Sequence, residues 1–282
     1  MTDLSLLEQL CFSTTRIETE DSFGNKYSGT GFFFDLSFDE GRSIPLIITN
    51  KHVVRNMVKG KFRFTKADSA NKPNYTDHFT ITFDVDFEEM WTFHPEPDID
   101  LCVLAIQPLV RAAKAMGHTL FFRSLDNSLI PSKEQIKELD AVEDILMIGY
   151  PNGLWDSVNN MPIVRRGTTA TDVKLNYDGK KEFVIDAACF PGSSGSPVLI
   201  CNVGGYADKK GNLNWGHSRV FLLGALYAGP QLTVTGEIKI VNIPNIQQKA
   251  LSISHIPNNL GYIIKSECIF DFIPVIKKNF NL

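Results

Sequence analysis

Three short segments hold the side chains whose types and spacing could do chemistry. The first, Ile47-Ile48-Thr49-Asn50-Lys51-His52-Val53-Val54, is an apolar strand ending in threonine, followed by a turn with a histidine. The second, Asp98-Ile99-Asp100-Leu101-Cys102-Val103-Leu104, opens an apolar strand with an acid. The third, Phe190-Pro191-Gly192-Ser193-Ser194-Gly195-Ser196-Pro197-Val198, sets a serine in a Gly-rich turn that feeds another strand. A serine hydroxyl is a poor nucleophile until a base removes its proton during attack. His52 is the candidate base, Asp100 the carboxylate that would fix the imidazole tautomer and stabilise the imidazolium, and Ser194 the nucleophile. The oxyanion that forms needs donors aimed at it, and the turn Gly192, Ser193, Ser194 offers backbone N–H groups, those of Gly192 and Ser194 foremost.

Each segment alone says little. A lone histidine before valines is more often structural, an aspartate before a strand usually caps a turn, and a Gly-Ser loop is usually only a loop. Their order is more specific. His…Asp…Ser is the chain order of the chymotrypsin-type triad, whereas α/β-hydrolases run Ser…Asp…His. Ser196 stands where a nucleophile elbow needs glycine, which counts against the hydrolase reading.

The motif Gly192-Ser193-Ser194-Gly195-Ser196-Pro197, preceded by Gly29-Thr30-Gly31-Phe32-Phe33 and by Thr49-Asn50-Lys51-His52-Val53, resembles the trypsin-like serine peptidases. The likeness is closer to bacterial HtrA-like catalytic domains than to secreted digestive enzymes. Met147-Ile148-Gly149-Tyr150-Pro151-Asn152-Gly153 resembles the strand and turn those domains carry early in their second barrel. The similarity runs from about Cys11 to Ile264, with only the motif segments close. In the family pattern the catalytic acid precedes apolar, small, apolar and apolar residues, which selects Asp100, with Cys102 at the small position. Counting from Asp98 would put the charge of Asp100 at that position, in a barrel seam. His94, Asp98 and Asp100 could also be read as metal ligands, but no second histidine or cysteine lies near; no metal and no cofactor is assigned.

The resemblance implies a primary substrate pocket lined by Ala188 and Cys189 and by Tyr227, Ala228 and Gly229. Ala188 aligns with the position where trypsin-like pockets hold an acid for Arg or Lys, so an apolar or small P1 residue is expected. Ser193 occupies the place where secreted zymogens carry an aspartate for the new N-terminus. Activation without N-terminal cleavage is therefore implied, with any switch acting through loops or a regulatory protein partner.

These segments need a rigid β framework. Short strand-like runs with turn signals fill Cys11–Glu18, Gly29–Phe34, Ser43–Thr49, Phe62–Phe64, His78–Asp86 and Leu101–Ile106, and resume at Asp144–Tyr150, Val164–Thr171, Lys181–Ala188, Ser196–Cys201, Val220–Tyr227, Glu237–Ile243 and Leu260–Ile264. Between the two sets, Ala112–Ala115 and Ser132–Ile136 read as short helices, the second capped by Ser132. Helices are also expected at Asp3–Leu10 and at Cys268–Lys278, where Pro274 weakens the middle. The pattern predicts an all-β fold of two antiparallel six-stranded β-barrels, chymotrypsin-like, with a short N-terminal and a C-terminal helix; a β-sandwich has the same periodicity. The expected division is 1–115, with His52 and Asp100, and 116–282, with Ser194 and the terminal helix.

The 282 residues are 43% hydrophobic and carry a net charge of −4, an ordinary globular composition with no clustered positive field for nucleic acid. The pairs Arg165-Arg166 and Lys277-Lys278 read as solvated surface. Five cysteines without CxxC spacing speak against a disulfide framework, although a Cys189–Cys201 bridge is conceivable; a reducing, cytoplasmic setting is expected. The first residues lack the pattern of a secretory signal, and no transmembrane helix or membrane partner is expected. The loop 202–219 reads as a mobile hairpin or a partner-facing one. The resulting expectation is a serine endopeptidase acting on protein or peptide substrates, of a kind seen in bacterial stress response, quality control or prokaryotic immunity. The alternatives are a catalytically silent binding module on the same fold, an esterase, or a β-rich interaction protein.

Overall fold

The computed structural model describes residues 4–38, 41–238, 250–257 and 259–280. A short helix, α1 (Leu6–Cys11), opens the chain, closed at its start by reciprocal hydrogen bonds between Ser5 and Glu8. The N-terminal half is a nine-stranded sheet. Its strands are β1 (Thr14–Asp21), β2 (Lys26–Phe38), β3 (Arg42–Thr49), β4 (Met57–Ala67), β5 (Pro73–Phe83), β6 (Thr92–Phe93), β7 (Cys102–Ala105), β8 (Leu120–Phe121) and β9 (Leu125–Asp126). The main path runs β5-β4-β1-β2-β3-β7-β6, with β8 on β4 and β9 on β2. Thus residues 120–126, beyond the short helix α3 (Gln107–Ala115), still pair with N-terminal strands. A one-turn helix, α2 (Lys51–Val54), follows β3.

After α4 (Lys133–Glu138), capped by Ser132 and Gln135, the C-terminal half closes into a ring. Its strands are β10 (Asp144–Gly149), β11 (Ile163–Thr169), β12 (Glu182–Asp186), β13 (Pro197–Asn202), β16 (Arg219–Ala228) and β19 (Leu260–Lys265), in the closed order β10-β11-β12-β19-β16-β13. Two hairpins project from it: β14 (Gly205–Ala207) with β15 (Leu213–Trp215), and β17 (Gln231–Ile238) with β18 (Ala250–Pro257). The first occupies the 202–219 loop and exposes Val203, Leu213 and Trp215. The strand expected at Glu237–Ile243 falls in part on β17, while 239–243 lie outside the described residues.

The fold is chymotrypsin-like and mostly β, with the expected helices at both ends. The six-stranded ring is complete in the C-terminal half. In the N-terminal half the sheet gathers the inward faces of β1, β2, β3, β4 and β7 around one core of Ile17, Phe33, Ile47, Phe62, Phe64, Cys102 and Leu104. The central strands are apolar on both faces because both faces are covered. Phe33 points into that core, while Phe32, Phe34 and Leu36 alternate to the other side. There they meet Ile148, Leu199, Leu222 and Ile264 of the C-terminal ring, so one seam of apolar side chains joins the halves.

The last helix, α5 (Phe272–Phe280), presses Phe272 and Ile276, one turn apart, into this seam. The expected start at Cys268 belongs to a 3-10 turn, Ser266–Asp271. Pro274 therefore stands in the first turn of α5, where its missing N–H removes no helical bond.

All five cysteines are free thiols, Cys189 and Cys201 included. Arg166 is exposed, but Arg165 is not, which corrects the reading of that pair as solvated surface. Neighbours on a strand face opposite ways, and Arg165 lies opposite Met147 of the ring interior. Lys277 covers the Phe38 ring at 5.7 Å, with Lys278 exposed. Among the described residues no helix is long and apolar enough to cross a membrane.

Candidate active site

The turn after β3 works as a unit of three side chains that all reach for one loop. Asn50 heads α2, yet its amide does not cap the helix; it donates to the Asp100 carbonyl at 2.8 Å. Lys51, only 5% exposed, turns inward and donates to the carbonyls of Glu96 and Pro97 at 3.0 and 3.3 Å. Burial, reinforced by the nearby Arg55, lowers its pKa. His52 meets the carboxylate itself. Its backbone N–H donates to Asp100 Oδ1 at 3.1 Å and its ring Nδ1 lies 2.5 Å from Asp100 Oδ2. A carboxylate on Nδ1 holds the neutral ring's proton there and leaves the Nε2 lone pair free, the state a general base needs.

Asp98 is exposed and makes no contact with His52 among the described residues, so the geometry selects Asp100. His94 takes no part. It is buried, its Nε2–H donates to the Cys268 carbonyl at 3.0 Å, and its Nδ1 accepts from Glu96 N at 3.1 Å. Burial pulls its pKa below the ordinary imidazole value, partly offset by the Cys268 carbonyl and Asp271. With both ring nitrogens engaged it offers no lone pair to a metal, and among the described residues no three His, Cys, Asp or Glu side chains converge.

The serine turn is fixed through its backbone. Gly192 and Gly195 have φ of +86° and +87°, the left-handed region that side chains avoid. Space forbids a side chain as well: a Cβ on Gly192 would stand 2.6 Å from the Tyr150 carbonyl, and one on Gly195 1.9 Å from the Thr30 carbonyl. Thr30 of β2 holds the turn by two of its carbonyls and ties it to Tyr150 as well. Its N–H donates to the Ser194 carbonyl at 2.8 Å, its hydroxyl donates to the Gly192 carbonyl at 2.9 Å, and the same hydroxyl accepts from Tyr150 N at 3.1 Å. Thr49 Oγ1 donates to the Thr30 carbonyl at 2.7 Å, tying this clamp to the strand that carries His52. From below, Asn152 N donates to the Pro191 carbonyl at 2.5 Å.

Of the three amides expected at the oxyanion site, Ser193 N–H donates to the Phe190 carbonyl at 3.0 Å and is not available. Those of Gly192 and Ser194 have no protein acceptor among the described residues and stay open. The Ser193 side chain is buried with its hydroxyl unpartnered. Ser194 is half-exposed, and among the described residues neither its hydroxyl nor His52 Nε2 makes a hydrogen bond. The structure thus joins His52 to Asp100 directly, and brings Ser194 to the same end of β2 and β3 through Thr30 and Thr49.

Of the expected pocket residues, two come together. Cys189 and Gly229 approach until a Cβ on the glycine would be 3.5 Å from that of Cys189, and the Cys189 thiol packs on Gly261 and Leu226. Burial pushes that thiol up to about 11. Tyr227 turns away from this floor and donates to Glu182 at 3.0 Å, and burial raises its phenol. Ala188 and Ala228 are partly exposed. Thr30, Asn50 and Lys51 were not foreseen as parts of the site. Thr30 stands in Gly29-Thr30-Gly31-Phe32-Phe33, but nothing local tells of a partner 162 residues on.

A sequence profile described as "Trypsin-like peptidase domain" matches residues 29–204. No curated protein sequence matches the chain. Among solved structures, the HtrA-type protease AlgW with a tripeptide is 16% identical, with 95% of this chain and 61% of that one covered and a TM-score of 0.44. The chain therefore spans about three fifths of AlgW's length. Deg5 is 16% identical over 80% of this chain and 88% of its own, with a TM-score of 0.44. Catalytically active tobacco etch virus protease complexed with product is 14% identical over 99% and 83%, with a TM-score of 0.49.

Proposed function

Because the chain belongs to the trypsin-like peptidase domain family, we propose that it is a serine endopeptidase in which Ser194, His52 and Asp100 form the catalytic triad. Ser194 Oγ attacks the scissile carbonyl as His52 Nε2 takes its proton, and the tetrahedral oxyanion draws on the N–H groups of Gly192 and Ser194. Collapse expels the amine, which takes the proton from His52, and leaves an acyl-enzyme on Ser194. Water then attacks with His52 again as base, releasing the acid product and restoring the hydroxyl. Asp100 keeps the ring oriented and stabilises its cationic form throughout.

The observation that carries this reading is the double contact of Asp100 with His52, Oδ2 to the ring and Oδ1 to the backbone. A silent binding module has no need of a carboxylate that dictates the tautomer of a half-exposed imidazole. Free amides at Gly192 and Ser194 support the same conclusion. With Ser193 buried and uncharged where a zymogen would hold an aspartate, we propose that the resting chain needs no N-terminal cut, and that any control comes from a protein partner. The free thiols suit a reducing compartment such as the cytoplasm.

A fluorophosphonate probe tests the assignment. Wild type is expected to label on Ser194, and Ser194→Ala and His52→Ala to lose labelling by a factor of about 10⁴ or more. Equal labelling of the Ser194→Ala variant would refute the triad, and a wild type that binds peptide but never labels would establish the silent module instead.

A further inference from the structure

We infer that Arg165 places a positive charge in the wall of the primary substrate pocket and that the enzyme accordingly prefers an acidic residue at P1. The inference rests on the peptidase reading above and names its substrate class, in place of the small apolar P1 that Ala188 alone would imply.

The first observation is where strand β11 sends this side chain. Arg165 stands opposite Met147, which is buried in the ring's apolar interior. Two residues along the same face, a Cβ on Gly167 would lie 2.7 Å from that of Ala187. Arg165 is thus on an inward-facing position, at the end of the ring where the chain runs through 187–190 into the oxyanion turn. An arginine on the inner face of an aliphatic barrel costs desolvation and calls for a reason.

The second observation is what it touches. Nη1 donates to the carbonyl of Ala188, and the guanidinium lies over the Phe190 ring, 4.8 Å from its centroid. Both partners belong to the wall that precedes Gly192. Together they hold the fork still without neutralising it, since a carbonyl and a π-face leave the cation its full charge.

The third observation concerns charge. Arg165 is half-buried, and among the described residues it forms no ion pair with a carboxylate. Arg219 in the same barrel shows the usual arrangement, with Glu143 against it at 2.5 Å. A guanidinium carries five N–H donors, of which one meets Ala188. A carboxylate is the group whose two oxygens match the remaining fork. The floor itself is neutral: Cys189, Gly229 and Gly261 form it, with the thiol held protonated chiefly by burial. The carboxylate of Asp186, near enough to act on that thiol, stays exposed to solvent and makes no ion pair with Arg165 among the described residues. An Asp or Glu side chain entering between 188–190 and 227–229 would supply the missing partner, whereas Lys or Arg would meet like charge.

Binding separates this inference from catalysis. Peptide pools with a fixed C-terminal residue, Glu, Leu or Lys, are titrated by fluorescence anisotropy against the Ser194→Ala protein. The Glu pool should bind about tenfold more tightly than the Leu pool, and Lys most weakly. Adding Arg165→Met should bring Glu and Leu level, Arg165→Lys should keep part of the preference, and Arg165→Glu should favour the Lys pool. Glu no better than Leu, or a Glu preference that survives in a folded Arg165→Met protein, overturns the inference. If Arg165→Met melts early, the wild-type preference itself decides, since a charge pair must lose most of its Glu advantage in 1 M salt and an apolar one must not. Failure of the peptidase reading looks different: the wild type would not acylate on Ser194, whichever pool the Ser194→Ala protein selects.

Discussion

The two halves of the molecule build their shares of the site by opposite means. The N-terminal half contributes side chains. His52 and Asp100 are oriented by other side chains, Asn50 and Lys51, which reach across to backbone carbonyls. The C-terminal half contributes a backbone path, with two glycines at positive φ leaving the Gly192 and Ser194 amides open. Their cores differ in the same sense. The closed ring encloses a bounded interior filled by aliphatic residues such as Ile145, Val198, Leu223 and Ile263, with Phe183 among them. The nine-stranded sheet is plugged by large rings, Phe33, Phe62, Phe64, Phe87 and Trp91. Phe87 comes from outside the strands and lies flat where a Cβ on Gly60 would be 2.3 Å from its ring. A closed sheet positions a turn by hydrogen-bonded backbone; a sheet filled from its loops relies on side chains to fix what the loops carry.

That contrast predicts different failures in the two halves. The largest effect belongs to the C-terminal turn. Gly195→Ala forces a methyl against the Thr30 carbonyl in a left-handed conformation, and should cost about 3 kcal/mol or more in a denaturant melt while abolishing probe labelling. Next comes the clamp between the halves. Thr30→Val strips partners from Gly192 O and Tyr150 N, for about 1–3 kcal/mol per orphaned group. Thr30→Ser keeps the hydroxyl and should retain most of the acylation rate. A Thr30→Val protein that acylates normally would break the comparison.

In the N-terminal half the rate should suffer more than the stability. Asn50→Leu removes the tie to the Asp100 carbonyl and with it a buried amide oxygen that has no partner. Its acylation rate should fall about tenfold, or 1.4 kcal/mol, with an unchanged melting temperature. The smallest effect is a pH dependence from His94. Its folded pKa lies below the unfolded value of 6.5, so the unfolded chain takes up the proton first. His94 thus contributes stability above about pH 6.5 that declines as the pH falls. Melts of wild type and His94→Gln between pH 5 and 8 should converge toward the acid end.

Much of this was legible in the residues. The chemistry-bearing segments announce themselves because each sits at a strand end with a distinct local pattern, and the run Leu101-Cys102-Val103-Leu104, which resembles the family's pattern after its acid, pointed to Asp100 over the exposed Asp98. The Ser132 cap and the strands of the C-terminal ring are local signals too. Contacts between distant positions were not legible. Thr30 reads as one more β-branched strand residue until the fold brings Gly192 to its hydroxyl. Lys51 looks like a surface lysine because only the loop at 96–97 gives it a reason to turn inward. Arg165 was masked by Arg166, since a basic pair in a string hides that the two face opposite ways. The start of α5 shifted because Ser266–Asp271 winds as a tighter turn, which no capping residue announced.

If the chain is the serine peptidase proposed above, the grip of Thr30 on the serine turn bears on the hazards of making it. Translation delivers His52 and Asp100 before Ser194, so a chain released early holds the proposed base and its carboxylate with no nucleophile to activate. A fragment that begins after β3 has the serine but lacks β2, whose Thr30 N–H and hydroxyl seat its turn. On the proposed reading, truncation or clipping therefore leaves inert debris, and only a complete, docked molecule cuts.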